Sequence, residues 1–163
     1  MRYALVLCLL GAAACGSGDP LVVAPCTVDC TPVIPKAMTV AFAGGTVNAE
    51  IAATSAARST GLSNRTSIAA DSGMIFVFGQ DRIPLFAPFW MHNTHFDLSI
   101  AFIDAQKKVI NVEEMLKDTD INHFATATYR YAVEAPKGWF AAHGVVAGAT
   151  VTFTVPAGVI VDP

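Results

Sequence analysis

From Lys36 onward the apolar positions fall in short runs of period two. The stretch "AMTVAFA" and then "TVNAEIAAT" flank Gly44 and Gly45, the signature of a hairpin. "GMIFVF", Gly73 to Phe78, is a continuous apolar run of strand length. In "DLSIAFID", Leu98, Ile100 and Phe102 alternate with Asp97, Ser99 and Ala101, so one face is wholly apolar. "VINVEEM" predicts a strand with Val109, Asn111 and Glu113 on one face and Ile110, Val112 and Glu114 on the other. "YRYAVEA" sets Arg130, Ala132 and Glu134 opposite Tyr129, Tyr131 and Val133. "FWM" and "ATVTFTV" continue the β pattern. Two short helices interrupt it. "SAARSTGL" has Thr54 or Ser55 as cap and Gly61 near its end, and "PKGWFAAHG" is opened by Pro136 and closed by Gly144. The pattern predicts a mainly β fold, an antiparallel sandwich or partly closed barrel with two short helices.

The N-terminus follows another logic. "MRYALVLCLLGAAAC" places one arginine before an apolar run from Ala4 to Ala14, and a bilayer span needs about 20 residues. The run and the small residues at its end predict a signal peptide over residues 1–14. "AAAC" resembles a bacterial lipobox, which implies acylation of Cys15. Release into the periplasm after cleavage is the alternative. Residues 15–36 read as a tether, with Pro20, Pro25, Pro32 and Pro35 and the pair Cys26 and Cys30 in "PCTVDC". Export makes a Cys26–Cys30 disulfide plausible, and a metal or redox pair is its rival. Residues 37–163 form a single β-rich domain, free of cysteine and so of thiol nucleophiles and thiolate ligands. The expected location is the periplasm or cell envelope, lipid-anchored, with the membrane surface as partner.

Only 14% of the 163 residues are charged and the net charge is -3. Nucleic acid is not an expected partner, because no cluster of Lys and Arg is present to neutralise phosphates. No Walker loop, Gly-x-Gly-x-x-Gly fingerprint or Gly-x-Ser-x-Gly elbow occurs, and no cofactor is expected.

The runs "RSTGLSNR", "GMIFVF", "FWMHNTHFDLSIAFID" and "GWFAAHG" resemble, in order and spacing, the bacterial and archaeal family called domain of unknown function 192. The resemblance covers roughly residues 38 to 155. It implies a compact β-rich fold, often exported, and no established activity. Where the family usually has Met after Gly-Leu, this chain has Ser63; where it has Lys after Trp-Met, this chain has His92; His95 stands where an aliphatic residue is usual.

The candidate chemistry lies mostly in that third run. A metal site would need His92, His95 and Asp97 to converge. In an extended strand His92 and His95 diverge, and only His95 and Asp97 share a face; a turn at Asn93-Thr94 would change that. "DTDIN", Asp118 to Asn122, opens like a calcium loop but holds His123 and Tyr129 where Gly and Glu are required. Arg58, Arg65, Asn93, Asp97 and Glu134 are polar residues in strongly apolar context, and buried charges must be paired or solvated. Two readings stay open. Arg58 or Arg65 forms a structural ion pair with Asp97 or Glu134, or Arg58, Arg65, Trp90, Asn93, Asp97 and Glu134 line a pocket for a small polar ligand. Trp90 and Trp139 exposed together would suggest a sugar platform. The expected function is a membrane-tethered binding or accessory module and not an enzyme; the alternative is a hydrolase or metal-dependent enzyme using His95, Asp97 and Glu134.

Overall fold

The computed structural model describes residues 36–163. The segment expected to be a signal peptide, Cys15 as the expected acylation site and the expected Cys26–Cys30 disulfide lie outside them. Six strands form one mixed sheet: β1 (Ala37–Phe42), β2 (Gly45–Ala52), β3 (Ser72–Arg82), β4 (Leu98–Ile103), β5 (Val109–Met115) and β6 (Tyr129–Pro136). Their order across the sheet is β1-β2-β3-β6-β4-β5, and the sheet is not closed strand to strand into a barrel. Four of the five pairings are antiparallel, as the sequence pattern predicts; β2 and β3 run parallel. That exception follows from the connection, because a parallel neighbour needs a crossover and residues 53–71 supply one.

The crossover carries α1 (Ser55–Thr60), capped by the Thr54 side chain, which accepts from the Ala57 N–H. Gly61, at φ 50, ends it. The second helix, α2 (Trp139–Ala142), follows Gly138 in the left-handed region at φ 81. Gly44 sits in the β1–β2 turn and Gly45 opens β2 directly against His143; a Cβ at either position would collide with that residue.

Two predicted strands are absent. "FWM" makes a single bridge, Phe89 to His123, and "ATVTFTV" makes only the bridges Ala41–Thr152 and Lys108–Thr150. The second segment nonetheless ties β1 to the start of β5. Face assignments also shift at irregularities. A break in register between Phe102 and Ile103 of β4 puts Val109 in the same cluster as Val112, not on the side of Asn111 and Glu113. A second, between Val77 and Arg82 of β3, brings Tyr129 onto the side of Ala132.

The sheet therefore has two cores. One face buries Val40, Val47, Ile75, Val133, Ala101 and Ile103 under Trp139 and Phe140 of α2 and under Val151 and Phe153. The other buries Met74, Phe76, Ile100, Phe102 and Ala132 under Leu62, Met91 and Tyr129. No helix among the described residues is long and apolar enough to cross a membrane.

Candidate functional site

Glu134 lies on β6, opposite Met74 of β3 and Ile100 of β4. Strand alternation thus fixes its carboxyl on the second face, flanked on both sides by apolar residues. Only 4% of its surface is exposed, and among the described residues no group hydrogen-bonds to it. Burial alone pushes its carboxyl up to about 8. It borders a cavity of about 550 Å³.

The cavity wall comes from three directions. From α1 and the turn after it come Arg58 and Ser59 to Ser63. From β3 and β6 come Phe76, Phe78, Arg82 and Tyr129, and from the segment before β4 come Ala87 to Trp90 and Thr94. That last segment would be loose if it stood alone, since it has no strand partner along its length. It is laced down on both sides. The Phe89 N–H donates to the His123 carbonyl at 2.9 Å and His123 returns a bond at 2.8 Å. On the other side Asn64 donates to the Asn93 carbonyl at 2.7 Å, and His95 to that of Arg65 at 3.2 Å. The Tyr129 hydroxyl holds the Ala87 carbonyl at 2.7 Å, and burial pushes that phenol up to about 12. The aromatic walls meet edge to face: Phe76 to Phe89 at 4.9 Å, Phe78 to Tyr129 at 5.6 Å and Phe89 to Phe102 at 5.6 Å.

The six residues singled out from sequence separate. Arg58, Trp90 and Glu134 line the cavity; Arg65, Asn93 and Asp97 do not. Arg58 is anchored by its own hydrogen bonds: Nη1 donates to the carbonyls of Ala53, Val77 and Asp162, and Nη2 to Pro163 and the Ser55 hydroxyl. Arg65 grips both carboxylate oxygens of Glu50, at 2.6 and 2.8 Å, and thereby holds that carboxyl below the usual range. Asn93 is an exposed turn residue at φ 55. Asp97 accepts from the Lys117 N–H at 2.9 Å and lies 3.3 Å from Lys137 Nζ; both bonds hold its carboxyl below the usual range. No arginine pairs with Asp97 or Glu134, so the ion pair expected from sequence is not formed.

The histidines are placed by a turn and not by a strand, since His92 and Asn93 form one and β4 begins only at Leu98. His92 pairs with Asp120 and His95 with Asp118, at 2.8 and 2.7 Å. Among the described residues no three His, Cys, Asp or Glu side chains converge as metal ligands. His95 pairs with Asp118 and Asp97 with Lys117 and Lys137, while the Glu134 carboxyl has no partner among the described residues, so the three form no common constellation. Trp90 is 60% exposed, but Trp139 is buried, stacked on His143 and bonded to Asp71, so the two tryptophans make no joint platform.

Sequence reasoning missed Thr94 and Arg82. Thr94 is 4% exposed, and its hydroxyl has no partner among the described residues. Of the three buried polar residues in the described chain, only Ser99 is bonded through its side chain; Thr94 and Glu134 both border the cavity. Arg82 makes no ion pair, and its Nε is buried without a partner. Its guanidinium carbon lies 5.3 Å from the Phe78 ring centre, on which Arg58 also stands, at 4.7 Å. The sequence hid Arg82, because Asp81 stands beside it there, whereas the fold pairs that acid with Arg130.

Fold and site define a β-rich domain of one mixed sheet, with an aromatic-walled cavity over one face. The chain belongs to the DUF192 family, described as "Uncharacterized ACR", which it matches over residues 38–153. It is similar to the crystal structure of a candidate transcription regulator from Sinorhizobium meliloti, at 26% identity and a TM-score of 0.64, over 72% of this chain and 92% of that one. It is similar also to a protein of unknown function from Novosphingobium aromaticivorans, at 28% identity and a TM-score of 0.64, over 71% of this chain and 83% of that one. No curated protein matches it.

Proposed function

We propose that the protein is an exported, membrane-tethered binding module that takes a small polar ligand into the cavity beneath Trp90. One observation carries the reading: of the three buried polar residues in the described chain, the two without a side-chain hydrogen bond, Glu134 and Thr94, both border that cavity. Burying a polar group without a partner costs roughly 1–3 kcal/mol, so a fold that keeps two such groups at one cavity is spending stability on something other than itself. The volume of about 550 Å³ falls within the range of small-molecule pockets. Glu134 is bonded to no serine, threonine or histidine that it could activate, which favours binding over catalysis.

The regulator description of the Sinorhizobium protein gives a DNA-binding reading little support in this chain. Its helices among the described residues are six and four residues long, short for a recognition helix, and the net charge is -3. The tether rests on the sequence "AAAC" and on Cys15, which would hold the domain at a membrane surface through acyl chains. Growth with labelled palmitate should mark the chain and leave a Cys15→Ser variant unmarked.

The ligand reading is tested by thermal unfolding of the chain from Cys15 onward carrying Cys15→Ser. Metals, sugars, amino acids and small acids are added singly. A specific ligand raises the melting temperature as its concentration climbs, by about 2.7 kcal/mol of stability at a hundredfold excess over Kd. The shift should vanish in Trp90→Ala combined with Thr94→Val. A panel in which nothing shifts the transition contradicts the proposal.

A further inference from the structure

We infer that the ligand is a small zwitterion of the amino-acid type, its ammonium taken by Glu134 and its carboxylate by Arg82. The inference rests on the binding reading above and names the chemistry of the same cavity. Two groups of opposite kind border one cavity and do not pair with each other: among the described residues the Glu134 carboxyl has no hydrogen-bond partner, and Arg82 has no carboxylate. Arg58, the other cation on the wall, is already tied to three backbone carbonyls through one nitrogen. Glu134 therefore has no cation of the protein's own, and Arg82 no anion. The register sets Glu134 against Met74 and Arg82 against Tyr129, five residues along β6, so an amino acid with an extended side chain or a short peptide, its charged ends set apart, can meet both groups, whereas a simple amine leaves Arg82 unmatched and a simple acid leaves Glu134 unmatched. Phe76, Phe89 and Tyr129 line the space with aromatic rings, which suit both an apolar body and an ammonium group.

The binding step moves one proton. In the empty cavity the carboxyl is protonated at neutral pH, because burial alone disfavours its charge. When an ammonium docks, the Glu134 O–H bond breaks, the electron pair stays on the carboxylate and the proton leaves to solvent. The other titratable groups on the cavity wall are Arg58 from α1, Arg82 from β3 and Tyr129 from β6. Tyr129 is pushed up to about 12, so of the two acids on the wall Glu134 is the one that changes charge between pH 5 and 9.

The experiment uses the chain from Cys15 onward carrying Cys15→Ser. The twenty common amino acids and a set of dipeptides are screened by thermal shift. The best binder is then compared by calorimetry with its decarboxylated amine and its deaminated acid. At pH 7, two buffers of different ionisation enthalpy should report about one proton released per ligand bound. Affinity should rise close to tenfold per pH unit toward pH 8 and then level off. Glu134→Gln should lose at least tenfold for the zwitterion and the amine, but not for the acid. Arg82→Gln should lose at least tenfold for the zwitterion and the acid, with proton release retained. Binding without proton release, or an acid that binds as tightly as the zwitterion, overturns the inference. If a sugar or another neutral solute stabilises the domain and no zwitterion does, the zwitterion is wrong and the pocket survives. If nothing in either panel binds, both readings fall.

Discussion

The first face of the sheet is closed around Phe140, although a second cavity, of about 460 Å³, borders Ile51, Ala53 and Val159 of the same cluster. Phe140 is fully buried and meets Phe42 at 5.3 Å and Trp139 at 5.4 Å. The one polar residue buried there is satisfied: the Ser99 hydroxyl sits 2.8 Å from both Glu114 oxygens and accepts from the Gly138 N–H. The second face uses similar residue types but is left open beneath Trp90, and its buried polar groups, Glu134 and Thr94, stand alone. Both faces hang on the same strands, and Ser99 and Ile100 are neighbours on β4. The difference teaches that the unpaired carboxyl is not a general looseness of the fold: a residue away, on the other side of the pleat, the same sheet satisfies its polar group fully.

Aromatic truncation should expose the contrast most strongly. Phe140→Ala removes a ring enclosed on all sides and should cost about 3–5 kcal/mol, measured by denaturant unfolding. Phe89→Ala removes a ring that already borders a cavity, so its cost should be half of that or less. Equal costs would mean that the second face is as tightly packed as the first.

Next in size is the pH dependence of stability. The folded-state pKa of Glu134, about 8, is raised above its unfolded value near 4.5. Between those values the folded state holds a proton that the unfolded chain has lost. Stability therefore falls as pH rises through this window, by about 1.4 kcal/mol per unit, and levels off above pH 8. Below pH 4.5 the effect is absent. Glu134→Gln should flatten this slope and be more stable than the wild type at pH 8. A wild type that gains stability from pH 5 to 8 relative to the variant would reverse the sign.

Smaller again, Ser99→Ala should cost about 1–3 kcal/mol, because it strips the Gly138 N–H and Glu114 of a partner on the closed face. At the bottom of the scale, Lys137→Ala breaks an exposed pair with Asp97 and should change stability by less than about 1 kcal/mol. A large effect there would move Asp97 from the surface into the fold's essential contacts.

Much of this was legible in the chain. Period-two alternation marked β4 and β6, and "VINVEEM" coincides with β5 residue for residue, because successive strand side chains turn to opposite faces and so write the pleat into sequence. The face of Glu134 followed from the same rule. What alternation cannot carry is a break in itself: the register shifts that moved Val109 and Tyr129 involve one or a few extra residues with no compositional mark. The segment from Phe89 to Asp97 misled for a related reason. Its aromatics and threonine fit a strand, yet Asn93 accepts the left-handed conformation and bends it, and partners distant in sequence hold it in place. Arg58 and Arg65 could not be assigned partners from sequence, since Glu50 and the carbonyls of Val77 and Asp162 are brought to them only by the fold.

The most direct test is the carboxyl ¹³C titration of Glu134 in the ligand-free protein by NMR. A midpoint near 8, absent in Glu134→Gln, is the outcome expected of a lone carboxyl held for a guest. A midpoint in the ordinary glutamate range near 4.5 would mean that water or a protein group already satisfies it, and the cavity would lose its claim to be a binding site.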